Sequence, residues 1–113
     1  MRRLPDARLL RIGLAHIQIE LNRPELIKPA LANLERSLRI DRSVPLAWRL
    51  AATAYGRVGQ LGQSALASAE YAFYTGRHSE AMGMAKRAQR ILKHSSPGWL
   101  RAGDILNSIK RRQ

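Results

Sequence analysis

The 113-residue sequence contains no cysteine and a single phenylalanine, and only 8 Asp+Glu stand against 20 Lys+Arg. Without cysteine there is no disulfide framework, no thiolate metal site and no thiol nucleophile. The scarcity of aromatic and β-branched residues argues against a sandwich or barrel. The longest stretch free of charged side chains, residues 58–69, is interrupted by Gly, Gln and Ser. It falls well short of the roughly 20 apolar residues that span a bilayer. At the start, Pro5, Asp6, Arg8 and Arg11 prevent the apolar run of a secretory signal peptide. Catalytic signatures are missing too: there is no H-E-x-x-H, carboxylate pair, Gly-rich phosphate loop or Ser-His-Asp order. His16, His78 and His94 are far apart, whereas a zinc site needs three or four converging ligands. The sequence therefore assigns this chain no catalytic residue, metal or cofactor.

What is present is an Ala- and Leu-rich globular composition, 45% apolar and 25% charged, which favours an all-α fold. Apolar residues at helical spacing predict six helices, at about residues 6–21, 25–40, 43–58, 63–75, 79–93 and 98–110. Leu9, Leu10, Gly13, Leu14, Ile17 and Leu21 mark the first. Ile27, Ala30, Leu34, Leu38 and Ile40 are expected to face inward in the second, where Pro29 is expected in the first turn. Trp99, Leu100, Ala102, Ile105, Leu106 and Ile109 form the apolar face expected of the sixth. Gly76 reads as a glycine just past a helix end, and Gly83-Met84 suggests a close helix contact. Short loops between helices of this length give antiparallel hairpins, at about 6–41, 44–75 and 78–110, as in a bundle or solenoid.

A 34-residue spacing relates Leu14, Ile17 and Leu21 to Trp48, Ala51 and Tyr55. The run from Ala47-Trp48 to Tyr55-Gly56 resembles the first helix of a tetratricopeptide (TPR) repeat. Ala30, Leu34 and Ser37, followed by Leu38-Arg39-Ile40-Asp41, resemble its second helix. Both the 59–65 and the 76–81 segments resemble within-repeat turns, so the fourth helix is expected to close one repeat and open the next. Taken with Leu21-Asn22-Arg23-Pro24-Glu25-Leu26, Ala69-Glu70-Tyr71-Ala72 and Ser96-Pro97-Gly98-Trp99-Leu100-Arg101-Ala102, the chain resembles the C-terminal TPR domain of bacterial periplasmic zinc metalloproteases. Those proteases carry an H-E-x-x-H catalytic domain and serve outer-membrane protein assembly and quality control. The resemblance implies a right-handed TPR-like solenoid, about two and a half repeats of a longer periplasmic protein. Its zinc would belong to a catalytic domain outside this chain. Its partners would be proteins or peptides, including the protease domain itself or an outer-membrane assembly component.

A TPR stack binds an extended peptide or a helix over the inner faces of its first helices. On this register the third helix presents Leu46, Arg49, Thr53, Gly56 and Arg57, and the first presents Ala15, Ile19, Asn22 and Arg23. Arg49, Thr53, Arg57, Asn22 and Arg23 are the candidate partner-binding residues, with the arginines able to pair with carboxylates. Phe73 and Tyr74 read as hairpin core. The net charge of +12 is uneven: residues 44–76 carry only +1, from Arg49, Arg57 and Glu70, while residues 77–113 carry +7, nine bases less two acids. Within the latter, Lys86, Arg87, Arg90 and Lys93 form a basic patch whose i, i+4, i+7 members share a face. It has no interleaved aromatic for stacking bases, so nucleic acid is the lesser expectation, and a stand-alone basic adaptor or nucleic-acid-binding protein is the alternative function. A third expectation is self-association through an N-terminal hairpin left without a neighbour.

Overall fold

A computed structural model describes residues 7–112. The expected helix start at Asp6, the basic residues before it and the last residue of the tail, Gln113, lie outside the described residues. The chain is all-helical, with α1 (Ala7–Glu20), α2 (Pro24–Ile40), α3 (Pro45–Arg57), α4 (Leu61–Tyr74), α5 (His78–Ile91) and α6 (Pro97–Arg111), and no strand among the described residues. None of these helices is long and apolar enough to cross a membrane.

Local chemistry sets the boundaries. Pro24, Pro45 and Pro97 stand at the starts of α2, α3 and α6, where a missing N–H costs nothing. Ser96 caps α6 by accepting the Trp99 N–H at 3.3 Å. Gly59 (φ 79°) and Gly76 (φ 76°) occupy the left-handed region that an L side chain resists. After α3 the N–H groups of Gly59 and Gln60 donate to the carbonyls of Gly56 and Tyr55. After α4 those of Gly76 and Arg77 donate to Phe73 and Ala72, the same paired motif. Asn22 (φ 51°) does the work of the glycine after α1. Pro29 is a correction: α2 begins at Pro24, so Pro29 lies in the helix interior and not in its first turn.

The core forms two clusters. One joins Ile12, Ala15 and Ile19 of α1 to Ile27, Leu31, Leu34 and Leu38 of α2 and to Trp48, Leu50 and Ala54 of α3. The other joins Leu66, Ala69 and Ala72 of α4 to Ala81, Ala85 and Ala88 of α5 and to Ile105, Leu106 and Ile109 of α6. Ala67 puts α4 into the first cluster as well. This central helix packs against α3 and α5, which its two glycine turns join to it, and also against α6. Glycines permit close approach to the end of α5: a Cβ on Gly62 of α4 would sit 2.7 Å from Leu92 Cδ2, and one on Gly98 of α6 would sit 3.0 Å from Leu92 Cδ1. Gly83 is not such a contact, since a Cβ there meets nothing within 4 Å. With extents of 46 × 36 × 21 Å, the molecule is about two helix diameters thick.

Two inward assignments are reversed, and in α1 the residues that mark the helix are not the buried ones. In α1 the buried residues are Ile12, Ala15 and Ile19, while Leu9, Leu10, Leu14, Ile17 and Leu21 are all about half exposed or more. Ile40 and Leu100 are likewise exposed, at 60% and 52%. Each sits on a helix whose opposite face carries the apolar residues that meet a neighbour.

Candidate functional site

Two concavities lie on different sides of α4. The first, about 410 Å³, is lined by Arg49 and Ala52 of α3, Ser68, Tyr71 and Ala72 of α4, and Glu80, Gly83 and Met84 of α5. Its floor is apolar and its walls polar. The Arg49 guanidinium has no ion pair or hydrogen bond among the described residues, and the Tyr71 hydroxyl is likewise unpaired there. Glu80 on the opposite wall is 3.8 Å from Arg77.

Of the other residues expected in a partner groove, Thr53 is exposed beside Arg49 and donates to its carbonyl at 3.3 Å. Arg57 Nη1 donates to the Ile19 carbonyl at 2.9 Å, tying the end of α3 to the end of α1. Asn22 supplies the turn conformation after α1, and Arg23 pairs with Glu25 at 2.7 Å. Arg57, Asn22 and Arg23 thus lie towards the α1 end of the molecule, away from the lined concavity. Ala15 and Ile19 do not face a groove: they are core, at 0% and 3% exposure.

The second concavity, about 290 Å³, is bounded by α2, α3, α4 and α6 and centres on Glu70. This carboxylate is completely buried. Arg101 of α6 donates from Nη2 to Oε1 at 2.6 Å and from Nε to both oxygens at 3.1 Å. Arg42, from the α2–α3 connection, donates from Nη2 to Oε2. The hydrogen bonds that Arg101 donates to Glu70 hold its guanidinium charged even more firmly than usual, against the opposing effect of burial. Arg42 also lies over the Trp48 ring, 5.2 Å from its centre, and accepts the Trp48 indole N–H on its carbonyl at 2.6 Å. Burial, reinforced by nearby Glu35, pushes the Tyr55 phenol up to about 12, so it stays a neutral donor at the edge of the cleft.

Sequence reasoning names Glu70 only within a resemblance and passes over Arg42 and Arg101 as site residues. One signal was available: Glu70 is the sole charged residue of α4, set among alanines. A lone charge on a helix buried by its neighbours needs a partner. Nothing in the sequence says that the partners come from residues 28 and 31 positions away.

Lys86, Arg87, Arg90 and Lys93 are all exposed and pair with no carboxylate among the described residues. Beside the end of α5 the rings of His94 and Trp99 meet at 4.2 Å between centres, tilted by 47°, an aromatic neighbour that the linear sequence did not place with this patch. Phe73 and Tyr74 pack edge to face at 5.5 Å, partly buried, with Arg101 and Arg112 over the Phe73 ring. No group of three or more His, Asp or Glu among the described residues is arranged to hold a metal ion. No protein-family description, curated protein or solved structure matches the chain.

Proposed function

We propose that the chain is a TPR-like protein-interaction module that holds a partner peptide in the groove between α3 and α5. The observation that carries this reading is the unpaired Arg49 guanidinium standing over an apolar floor of Ala52, Ala72 and Met84. The occupant is an extended segment with an acidic residue next to an apolar one: the carboxylate meets Arg49 and the apolar side chain meets Met84 and Tyr71. The chain's net charge of +12 speeds the approach of such a segment.

The repeat reading draws support from burial. Trp48, Ala51 and Tyr55 pack into the cluster that α3 shares with α2. Leu14, Ile17 and Leu21, 34 residues earlier, stand exposed on α1, which has no preceding helix among the described residues. On the resemblance described above, the module recruits substrates or partners for a periplasmic zinc protease, and an in-frame H-E-x-x-H helix upstream in the gene is the test of that assignment.

Selection of displayed peptides on the purified chain tests the groove. The expected outcome is enrichment of acidic-apolar segments whose affinity drops on the order of tenfold or more with Arg49→Glu. Absence of enrichment, or equal binding by the variant, overturns the reading. The His94–Trp99 ring contact, next in sequence to Lys93, favours a second reading, binding of single-stranded nucleic acid. A gel shift that weakens with salt and with Trp99→Ala would support it, and absence of any shift at low salt would remove it.

A further inference from the structure

We propose that the cleft around Glu70 is a binding site for a phosphate group, of the kind carried by a small organic phosphomonoester. It lies across α4 from the peptide groove and does not depend on that groove's being used.

The cleft carries more cations than carboxylates. Arg39, Arg42 and Arg101 line the cleft with Glu35 and Glu70, so three cations face two carboxylates and the site keeps a formal +1. Both oxygens of Glu70 are taken, yet they use only Nη2 of Arg42 and Nη2 and Nε of Arg101. The remaining N–H groups of these two side chains have no acceptor among the described residues. Arg42 and Arg101 are 49% and 29% exposed, and both line the cleft. Arg39 is exposed and pairs with no described carboxylate, which leaves its whole guanidinium for a ligand.

Two further donors line the same space. Gly98 lies in the first turn of α6, where a backbone N–H has no helical acceptor and the helix dipole favours an anion. The glycine is needed there, because a Cβ would press on Leu92, Leu66 and the Gln63 amide nitrogen at 3.0, 3.3 and 3.4 Å. Gln63 supplies that amide to the cleft wall.

Glu70 is what makes the arrangement possible. Buried and doubly bonded, it fixes two arginines that a bare surface would leave to wander, so their free edges are ordered before a ligand arrives. The donors come from three separate elements, α2, the α2–α3 connection and α6, which suits a tetrahedral oxyanion better than a flat carboxylate. The walls also carry Trp48 and the neutral Tyr55, an apolar surface with one hydroxyl for the organic part of the ligand. A volume of about 290 Å³ matches a small molecule.

The test uses the whole chain, isotopically labelled, titrated with inorganic phosphate and separately with succinate, chloride being adjusted to hold ionic strength constant. The Trp48 indole N–H resonance should shift and saturate with phosphate, while that of Trp99, outside the cleft, should not. Arg39→Gln, which disturbs no described contact, should weaken binding on the order of tenfold. Arg49→Gln, in the other concavity, should leave it unchanged. A shift that never saturates, that survives Arg39→Gln, or that favours succinate overturns the proposal.

Discussion

Arg101 lays the Nε–Nη2 edge of its guanidinium along the buried carboxylate of Glu70, 2.6 Å at its closest, joining α6 to α4 across 31 residues of sequence. Arg42 closes the other side of the same carboxylate and links it to Trp48. The arrangement ties the two core clusters together at the one helix that belongs to both.

Removing the carboxylate should therefore be costly. Glu70→Gln leaves two arginines facing an interior amide, and stability should fall by about 3 kcal/mol, the lower end for a broken buried pair because both arginines keep partial access to water. Urea unfolding measures this. A loss below that of an ordinary surface substitution would show that water replaces the carboxylate without penalty.

The Tyr55 phenol carries a pH dependence whose sign is fixed. Its folded value is raised to about 12 from an ordinary 10, so the unfolded chain gives up this proton first. Its contribution to stability is complete below pH 10 and is lost as pH rises towards 12. Comparing urea midpoints of the parent and Tyr55→Phe between pH 9 and 12 isolates it, and the parent alone should show the extra decline.

Two helical glycines should respond oppositely to alanine. At Gly62 the added methyl meets Leu92 at 2.7 Å and Ile91 at 3.1 Å, and overpacking should outweigh the gain in helix propensity by about 1 kcal/mol. At Gly83 the space is open, so the same change should stabilise by about 0.5–1 kcal/mol. Thermal melts of the two variants should move in opposite directions.

Helix α1 offers the sharpest contrast between equally hydrophobic positions. Ile12→Ala should cost about 2–3 kcal/mol, because it opens a cavity between α1 and α2. Leu14→Gln and Ile17→Gln should each change stability by less than about 0.5 kcal/mol. Equal losses at all three positions would mean that something in solution covers the exposed stripe.

The sequence carries the helices themselves. Prolines at helix starts, glycines or asparagine just past helix ends and apolar residues at helical spacing act within a few neighbours, so the six segments and their order are legible without a fold. That α4 lies between two glycine turns was legible as well, because Gly59 and Gly76 bound a single helix.

Which face of a helix is buried was less accessible. In α1 the larger aliphatic residues define one stripe and Ile12, Ala15 and Ile19 another, and periodicity favours the bulkier one. Tertiary structure chose the smaller stripe because α2 and α3 lie on that side and the described residues place nothing on the other. That Arg49 and Thr53 share the exposed side of α3 could be picked out from the chain, since it follows from helix register.

The Glu70 site could not. Its donors lie in the α2–α3 connection and in α6, and no local rule relates residues 42, 70 and 101. The sequence by itself determined that this is a basic, cysteine-free chain of six helices, because those properties follow from composition and short-range spacing. Tertiary structure alone decided that one acidic side chain of α4 is buried between two arginines, because burial and charge pairing are settled only when distant segments pack.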